Sequence, residues 1–188
     1  MTGEFMIRVL SGYLIGSIPS GFILARLLGL GDLRKTGSGG TGATNAMRVG
    51  GLKLAFCVFA LDLSKAFVAA GCFGIWAGLF AVLGHDYPVW LKFKGGKGVS
   101  SSAGFVLAVC PPVFVFLFPI WLIVALSFGY SSLAALTVLT LAPLLGFAYS
   151  VEVGGALVLL AMVGFWRHKE NIRRLLNGTE SKIKWKRK

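Results

Sequence analysis

Gly37 to Gly51, reading GSGGTGATNAMRVGG, sets small and polar residues between two apolar stretches. A glycine-rich backbone can turn tightly and aim successive N–H groups into one concavity, an arrangement that binds anions. A simple turn between helices needs only about two to five residues and has no use for Asn45 or Arg48, so a phosphate is the natural guest. A second glycine group, GGKG at Gly95 to Gly98, surrounds Lys97 and suits the same chemistry. His168 and Asn171 lie three residues apart in a basic stretch, on one face if it is helical. One could donate to a phosphate or hydroxyl while the other orients it, and His168 could carry a proton; a headgroup contact accounts for that histidine equally well.

Familiar motifs do not fit these groups. GSGGTG matches G-x-G-x-x-G through Gly37, Gly39 and Gly42, but a dinucleotide fold needs a preceding buried strand, and an apolar segment long enough for a helix precedes this loop. GGKG lacks the hydroxyl residue directly after lysine that a P-loop needs. Cys57, Cys72 and Cys110 fall singly in apolar segments without metal-type spacing and read as small core residues. With two histidines and few, scattered carboxylates, no metal site and no cofactor are expected.

The elements that must position these residues are membrane helices. The chain is 56% hydrophobic with a mean hydropathy of +0.79, well above the usual soluble share of about half. A net charge of +12 would point a soluble protein toward nucleic acid. Here sixteen of the nineteen cations fall into three clusters: around the first loop, around Lys97 and in the tail from Arg167 to Lys188. That pattern reads as membrane topology, with no nucleic acid and no obligatory protein partner.

An apolar segment from about Phe5 to Leu30 is long enough to cross a bilayer. Its Gly12, Gly16 and Gly21 leave room for close backbone approach. Leu52 to about Leu83 is too long for one ordinary span, and Gly71 and Gly74 mark a hairpin; Val99 to Phe128 is broken at Pro111 and Pro112. Two shorter segments come next, about Ser132 to Tyr149 and Val153 to Trp166. Counting both hairpins predicts an all-α integral membrane protein of seven transmembrane helices, N-terminus outside and C-terminus cytoplasmic. Every basic cluster then falls inside. Residues 1–188 read as one transmembrane domain with a basic tail at about 167–188. The topology gathers the glycine loop, Gly84 to Ser102, Trp166 to Glu180 and GYSS at Gly129 to Ser132 on the cytoplasmic face, as an enzyme working there would require. Asp62 and Lys65, three apart within a span, read as a structural ion pair, and His85 as a residue holding its loop together.

GSIPSG at Gly16 to Gly21, GSGGTGATNAMRVGG, GHDYPVWLKFKGGKGV and WRHKENIRRLLNGTE, in this order across nearly the whole chain, resemble the bacterial acyl-phosphate:glycerol-3-phosphate acyltransferases. The resemblance implies a multi-pass protein of the bacterial cytoplasmic (inner) membrane, surrounded by its lipids. It implies acyl transfer from acyl phosphate to the 1-hydroxyl of sn-glycerol 3-phosphate, giving lysophosphatidic acid and phosphate in the first step of phospholipid synthesis. By the same resemblance Ser38, the loop N–H groups around Gly39, Gly40, Gly42 and Thr44, Asn45 and Arg48 hold phosphate. Gly95, Gly96 and Lys97 form a second phosphate element with the second cation. His168 and Asn171, with Ser132 nearby, close the substrate site. The chain departs from the family at Gly40, where asparagine is common, and at Ala135, near which a second hydroxyl often stands. Two other classes predict different behaviour. An anion transporter predicts uptake without acyl transfer, and a lipid scaffold predicts that Arg48 and Lys97 tolerate alanine.

Overall fold

The computed structural model describes residues 2–183, and the tail's Lys184, Lys186, Arg187 and Lys188 lie outside the described residues. The described residues form nine α-helices: α1 (Thr2–Ser17), α2 (Ser20–Leu27), α3 (Ala43–Phe73), α4 (Ile75–Asp86), α5 (Val99–Val109), α6 (Pro111–Phe128), α7 (Ser131–Tyr149), α8 (Val151–Arg167) and α9 (Lys169–Leu176). They divide into two compact units, Met1–Ala108 and Val109–Lys188.

Small residues fill the interior. Ala25, Ala66, Ala69, Ala77, Ala81, Ala125 and Ala134 are fully buried, while Ile7, Phe56, Ile123, Leu144 and Met162 are exposed. Such an inside-out distribution suits a chain solvated by lipid, where close backbone packing rather than apolar burial joins helices. Four segments are long and apolar enough to cross a membrane: Gly3–Leu27, α3, α6 and α7; α8 with α9, bent by 61°, makes a fifth if counted as one.

In the first unit, Pro19 interrupts the first apolar segment and separates α1 from α2. A Cβ on Gly12 or Gly16 would strike the backbone of Ala77 or Ala81, so the two glycines let α1 lie directly on α4, running parallel to it. The hairpin between α3 and α4 turns at Gly74 (φ 93), which brings Ala70 against Gly78; Gly71 stays inside α3. α3 is itself two helices, joined at Gly51 (φ 80, ψ −172). In the second unit, α7 and α8 form an antiparallel hairpin at Ser150, whose hydroxyl accepts from the Val153 amide at 3.1 Å and caps α8.

One expectation changes, and two of the helices are short for spans. α4 and α5, at 12 and 11 residues, reach only about 18 and 17 Å at the usual helical rise, short of a hydrocarbon core of about 30 Å. Cys57 and Cys72 are exposed on the helices' outer faces, and only Cys110 is a core residue. In a lipid-facing helix both faces are apolar, so the surrounding sequence carries no sign of which side a small residue takes.

Candidate functional site

The first loop begins where α2 ends. Leu33, fully buried among Ala25, Ala46, Leu54 and Val58, pins the chain against α2 and α3. Asp32 caps the short 3-10 turn Leu33–Lys35: its Oδ1 accepts from the Arg34 amide at 3.0 Å, and its carboxylate grips the Arg34 guanidinium at 2.7–3.2 Å. The side-chain hydrogen bond from Arg34 holds the Asp32 carboxyl down at about 2, against an ordinary 3.8. A carboxyl lowered on folding adds stability that is present above pH 3.8 and is lost as pH falls toward 2. An NMR titration of the Asp32 carboxyl is expected to have its midpoint near 2; a midpoint near 3.8 would show that the pair does not persist in solution.

Asn45 organises the loop beyond this turn. Its Oδ1 accepts from the Ser38 amide at 2.8 Å, and its Nδ2 donates toward the carbonyls of Leu33, Gly40 and Thr36 at 2.9, 2.8 and 3.1 Å. The side chain is 2% exposed, and its amide is committed to the loop's own backbone. Asn45 is therefore the post around which the loop winds. Gly37 (φ 60) passes so close to Asn45 Oδ1 that any Cβ there would collide with it. Ser38 and Gly39 are exposed at the loop tip, Gly42 caps α3, and Thr44 and Arg48 are half-buried on the first turns of α3. Thr41, 4% exposed, runs its carbonyl against Gly21 of α2, which explains the second glycine of GSIPSG.

The second loop leaves α4 through Tyr87, whose carbonyl accepts from the Tyr13 hydroxyl of α1 at 2.8 Å. Lys92 (φ 53) and Phe93 (φ 61) are left-handed, an unusual state for such side chains, and both are exposed. The chain then folds back on the end of α4: the Gly96 amide donates to the His85 carbonyl at 3.2 Å, and a Cβ on Gly96 would enter the His85 ring. Gly95 and Gly96 thus have a packing reason to be glycine. Half-buried Lys97 comes next, and Gly98 leads into α5.

In the second unit His168 stands at the bend between α8 and α9, 2% exposed, with Nδ1 2.7 Å from the Gly164 carbonyl. Because a carbonyl only accepts, Nδ1 carries a proton, and in the neutral ring Nε2 holds the basic lone pair. Asn171, also buried, donates to Glu180 Oε1 at 2.7 Å. Ser132 of α7 donates to the same oxygen at 2.9 Å, and Arg174 Nε to Oε2 at 2.7 Å. Burial raises the Glu180 carboxyl, but the hydrogen bonds from Asn171, Arg174 and Ser132 outweigh it and bring it below the ordinary value.

Glu180 is the residue that sequence reasoning missed. Its signal was a single acid closing a basic segment. Ser132 and Asn171, assigned to substrate, are drawn together by it. Glu180→Ala takes this acceptor from the buried Ser132 and Asn171 donors, while half-exposed Arg174 can turn to water, and is expected to lower stability by about 2 kcal/mol. Unchanged thermal unfolding would show that Ser132, Asn171 and Arg174 find other partners. Since the Glu180 carboxyl is lowered on folding, its contribution is present above the ordinary glutamate range and fades as pH falls through the folded value.

Fold and loops together define an all-helical integral membrane protein whose polar chemistry is concentrated in glycine-rich loops and at one helix bend. The family model for "Glycerol-3-phosphate acyltransferase" matches residues 6–178, and the chain belongs to that family. Glycerol-3-phosphate acyltransferases of Agrobacterium fabrum (46% identity, covering 94% of this chain and 91% of the relative) and Mesorhizobium japonicum (45%, 97% and 98%) are among its relatives. Among solved structures, the chain is similar to PlsY (YgiH), an integral membrane glycerol 3-phosphate acyltransferase. Its glycerol 3-phosphate form gives a TM-score of 0.89 at 42% identity, covering 97% of this chain and 96% of that one. Its lysophosphatidic acid form gives 0.88 at 39%, covering 97% of each.

Proposed function

We propose that this protein is a glycerol-3-phosphate 1-O-acyltransferase that takes its acyl group from acyl phosphate and performs the first acylation of phospholipid synthesis. The observation that carries the reading is the family match running through both units, together with a relative of 42% identity solved in a glycerol 3-phosphate form. It also supports reading 1–188 as one acyltransferase domain. Two glycine-rich loops, one leading into the turns of α3 that carry Arg48 and one holding Lys97, fit a reaction in which donor and acceptor both carry phosphate.

The glycerol 1-hydroxyl oxygen attacks the acyl carbonyl carbon, forming the ester bond. The bond from that carbon to the phosphate oxygen breaks, and phosphate leaves with the electron pair. Acyl phosphate is already activated, so no covalent enzyme intermediate is needed. Arg48 and Lys97 neutralise phosphate charge, while backbone N–H groups of the loops stabilise the charge that develops on the leaving group. The hydroxyl proton passes either to a substrate phosphate or to His168 Nε2, and a His168→Ala enzyme with near-normal turnover would remove the histidine.

For topology we propose seven spans, with α1 and α2 together as the first and the N-terminus outside, in a bacterial cytoplasmic membrane with the active site facing the cytoplasm. The parallel run of α1 and α4, with α3 antiparallel between them in sequence, supports this alternation. The short α4 and α5 then cross with local thinning of the bilayer.

The test is to supply purified protein with glycerol 3-phosphate and, separately, acyl phosphate, acyl-CoA or acyl carrier protein thioester. Phosphate and lysophosphatidic acid are measured together. Product from acyl phosphate alone is expected; equal use of a thioester would overturn the donor, and no product from any donor in folded protein would overturn the activity.

A further inference from the structure

A buried charged cluster touches residues that hold both glycine-rich loops. Lys65 Nζ is 2.8 Å from Asp62 Oδ1 and 3.3 Å from His85 Nδ1, which is 3.5 Å from the same Asp62 oxygen. Asp62, His85 and Lys65 are 1, 6 and 7% exposed. Ionised groups inside a membrane helix are costly and rarely kept without a task. Net stability is a poor explanation for this one, since a buried ion pair often does no better than apolar residues of the same size.

The contacts of the cluster run in two directions. Lys65 donates to the Ile18 carbonyl at 2.9 Å, a group released from the α1 ladder by the break at Pro19. The ammonium thus caps a helix C-terminus, where a cation is favoured. Directly beyond the break, Gly21 abuts Thr41 of the first loop. In the other direction, the His85 carbonyl accepts from Gly96, and the His85 ring fills the space a Gly96 side chain would take, next to Lys97. From the same helix segment the Asp62 carbonyl accepts from Ser101 Oγ of α5, at 3.0 Å, just after the second loop.

We infer that Asp62, Lys65 and His85 are positioning residues that set the placement of the Gly37–Thr44 loop and the Gly95–Gly98 loop relative to each other. The inference rests on the reading of these loops as the phosphate-binding elements of an acyltransferase. The separation of two phosphate-binding loops decides whether a hydroxyl on one substrate meets a carbonyl on the other, and a misplacement of about 1 Å is enough to cost about a hundredfold in rate.

The experiment uses the full chain and two replacements. Asp62→Asn/Lys65→Gln removes both charges at nearly constant volume, and His85→Leu breaks the ring's contacts with Lys65 and Asp62 while leaving that pair and the His85 carbonyl in place. Each is measured for thermal unfolding, for kcat and KM toward glycerol 3-phosphate with acyl phosphate, and for hydrogen exchange in peptides covering 37–44 and 94–99. The expected result is a melting temperature close to that of the unsubstituted chain, faster exchange in both loops, and kcat/KM lowered about a hundredfold. His85→Asn, which returns a polar group near the Nδ1 position, is expected to recover most of what His85→Leu loses.

Unchanged exchange in both loops overturns the inference even if activity falls, because the cluster then acts elsewhere. Loosened loops with unchanged kinetics overturn it equally. If the double replacement does not fold, His85→Leu decides by the same readouts. An unsubstituted chain that makes no product from any donor counts against the acyltransferase reading instead, and the exchange data then judge the loop coupling by themselves.

Discussion

Lys97→Ala is expected to lower kcat/KM for glycerol 3-phosphate by about a hundredfold to a thousandfold, the range seen when one preorganised charge stabiliser is removed from a transition state. Lys97 comes directly after two glycines whose positions are fixed by His85, so its main chain has little freedom to compensate. Its side chain is only half-buried, and the substitution is expected to leave thermal unfolding nearly unchanged. Lys97→Arg keeps the charge but replaces a compact ammonium with a planar fork, and it is expected to recover only part of the rate. Steady-state kinetics beside a melting curve check both. Near-normal turnover by Lys97→Ala would take the second loop out of the chemistry.

Asn45→Asp is expected to do more harm than Asn45→Ala, although it changes the side chain less. The amide nitrogen points its donors at the carbonyls of Leu33, Thr36 and Gly40. An aspartate puts a second acceptor, and a negative charge, against three acceptors in a buried place. A loss of about 3 kcal/mol is expected, which for a chain of this size lowers the melting temperature by about 10 °C. Activity is expected to fall with the loop's order. Equal melting temperatures for the two variants would mean that Nδ2 does not hold these carbonyls.

Particular residues show how far function could be read before the structure. The helical segments were legible because apolar runs are interrupted at Gly74, Pro111 and Ser150 by residues whose backbone chemistry ends a helix. The loops were legible because glycine, Arg48 and Lys97 have few reasons to gather otherwise. The role of Asn45 was not legible: a carboxamide has the same donors and acceptors whether it faces a ligand or its own backbone, and only the fold decides. Glu180 was hidden for a related reason, since its partners Ser132 and Asn171 lie at 48 and 9 residues' separation. The link from Lys65 to Ile18 spans 47 residues and depends on the break at Pro19, which no local pattern connects to a lysine two helices away.

The change of direction at Gly51 gives the first loop an address in depth. The later part of α3, residues 52–73, is about 33 Å long at the usual rise per residue, close to the thickness of a hydrocarbon core. The short helix with Thr44, Asn45 and Arg48 therefore begins where the apolar slab ends, and the left-handed glycine lets it leave the axis of the span there. Inserting one residue between Gly51 and Phe73 would lift Arg48 by about 1.5 Å and turn it by about 100° around the span. The same helix thus serves as a gauge, fixing the height of the first loop relative to the apolar span it crowns.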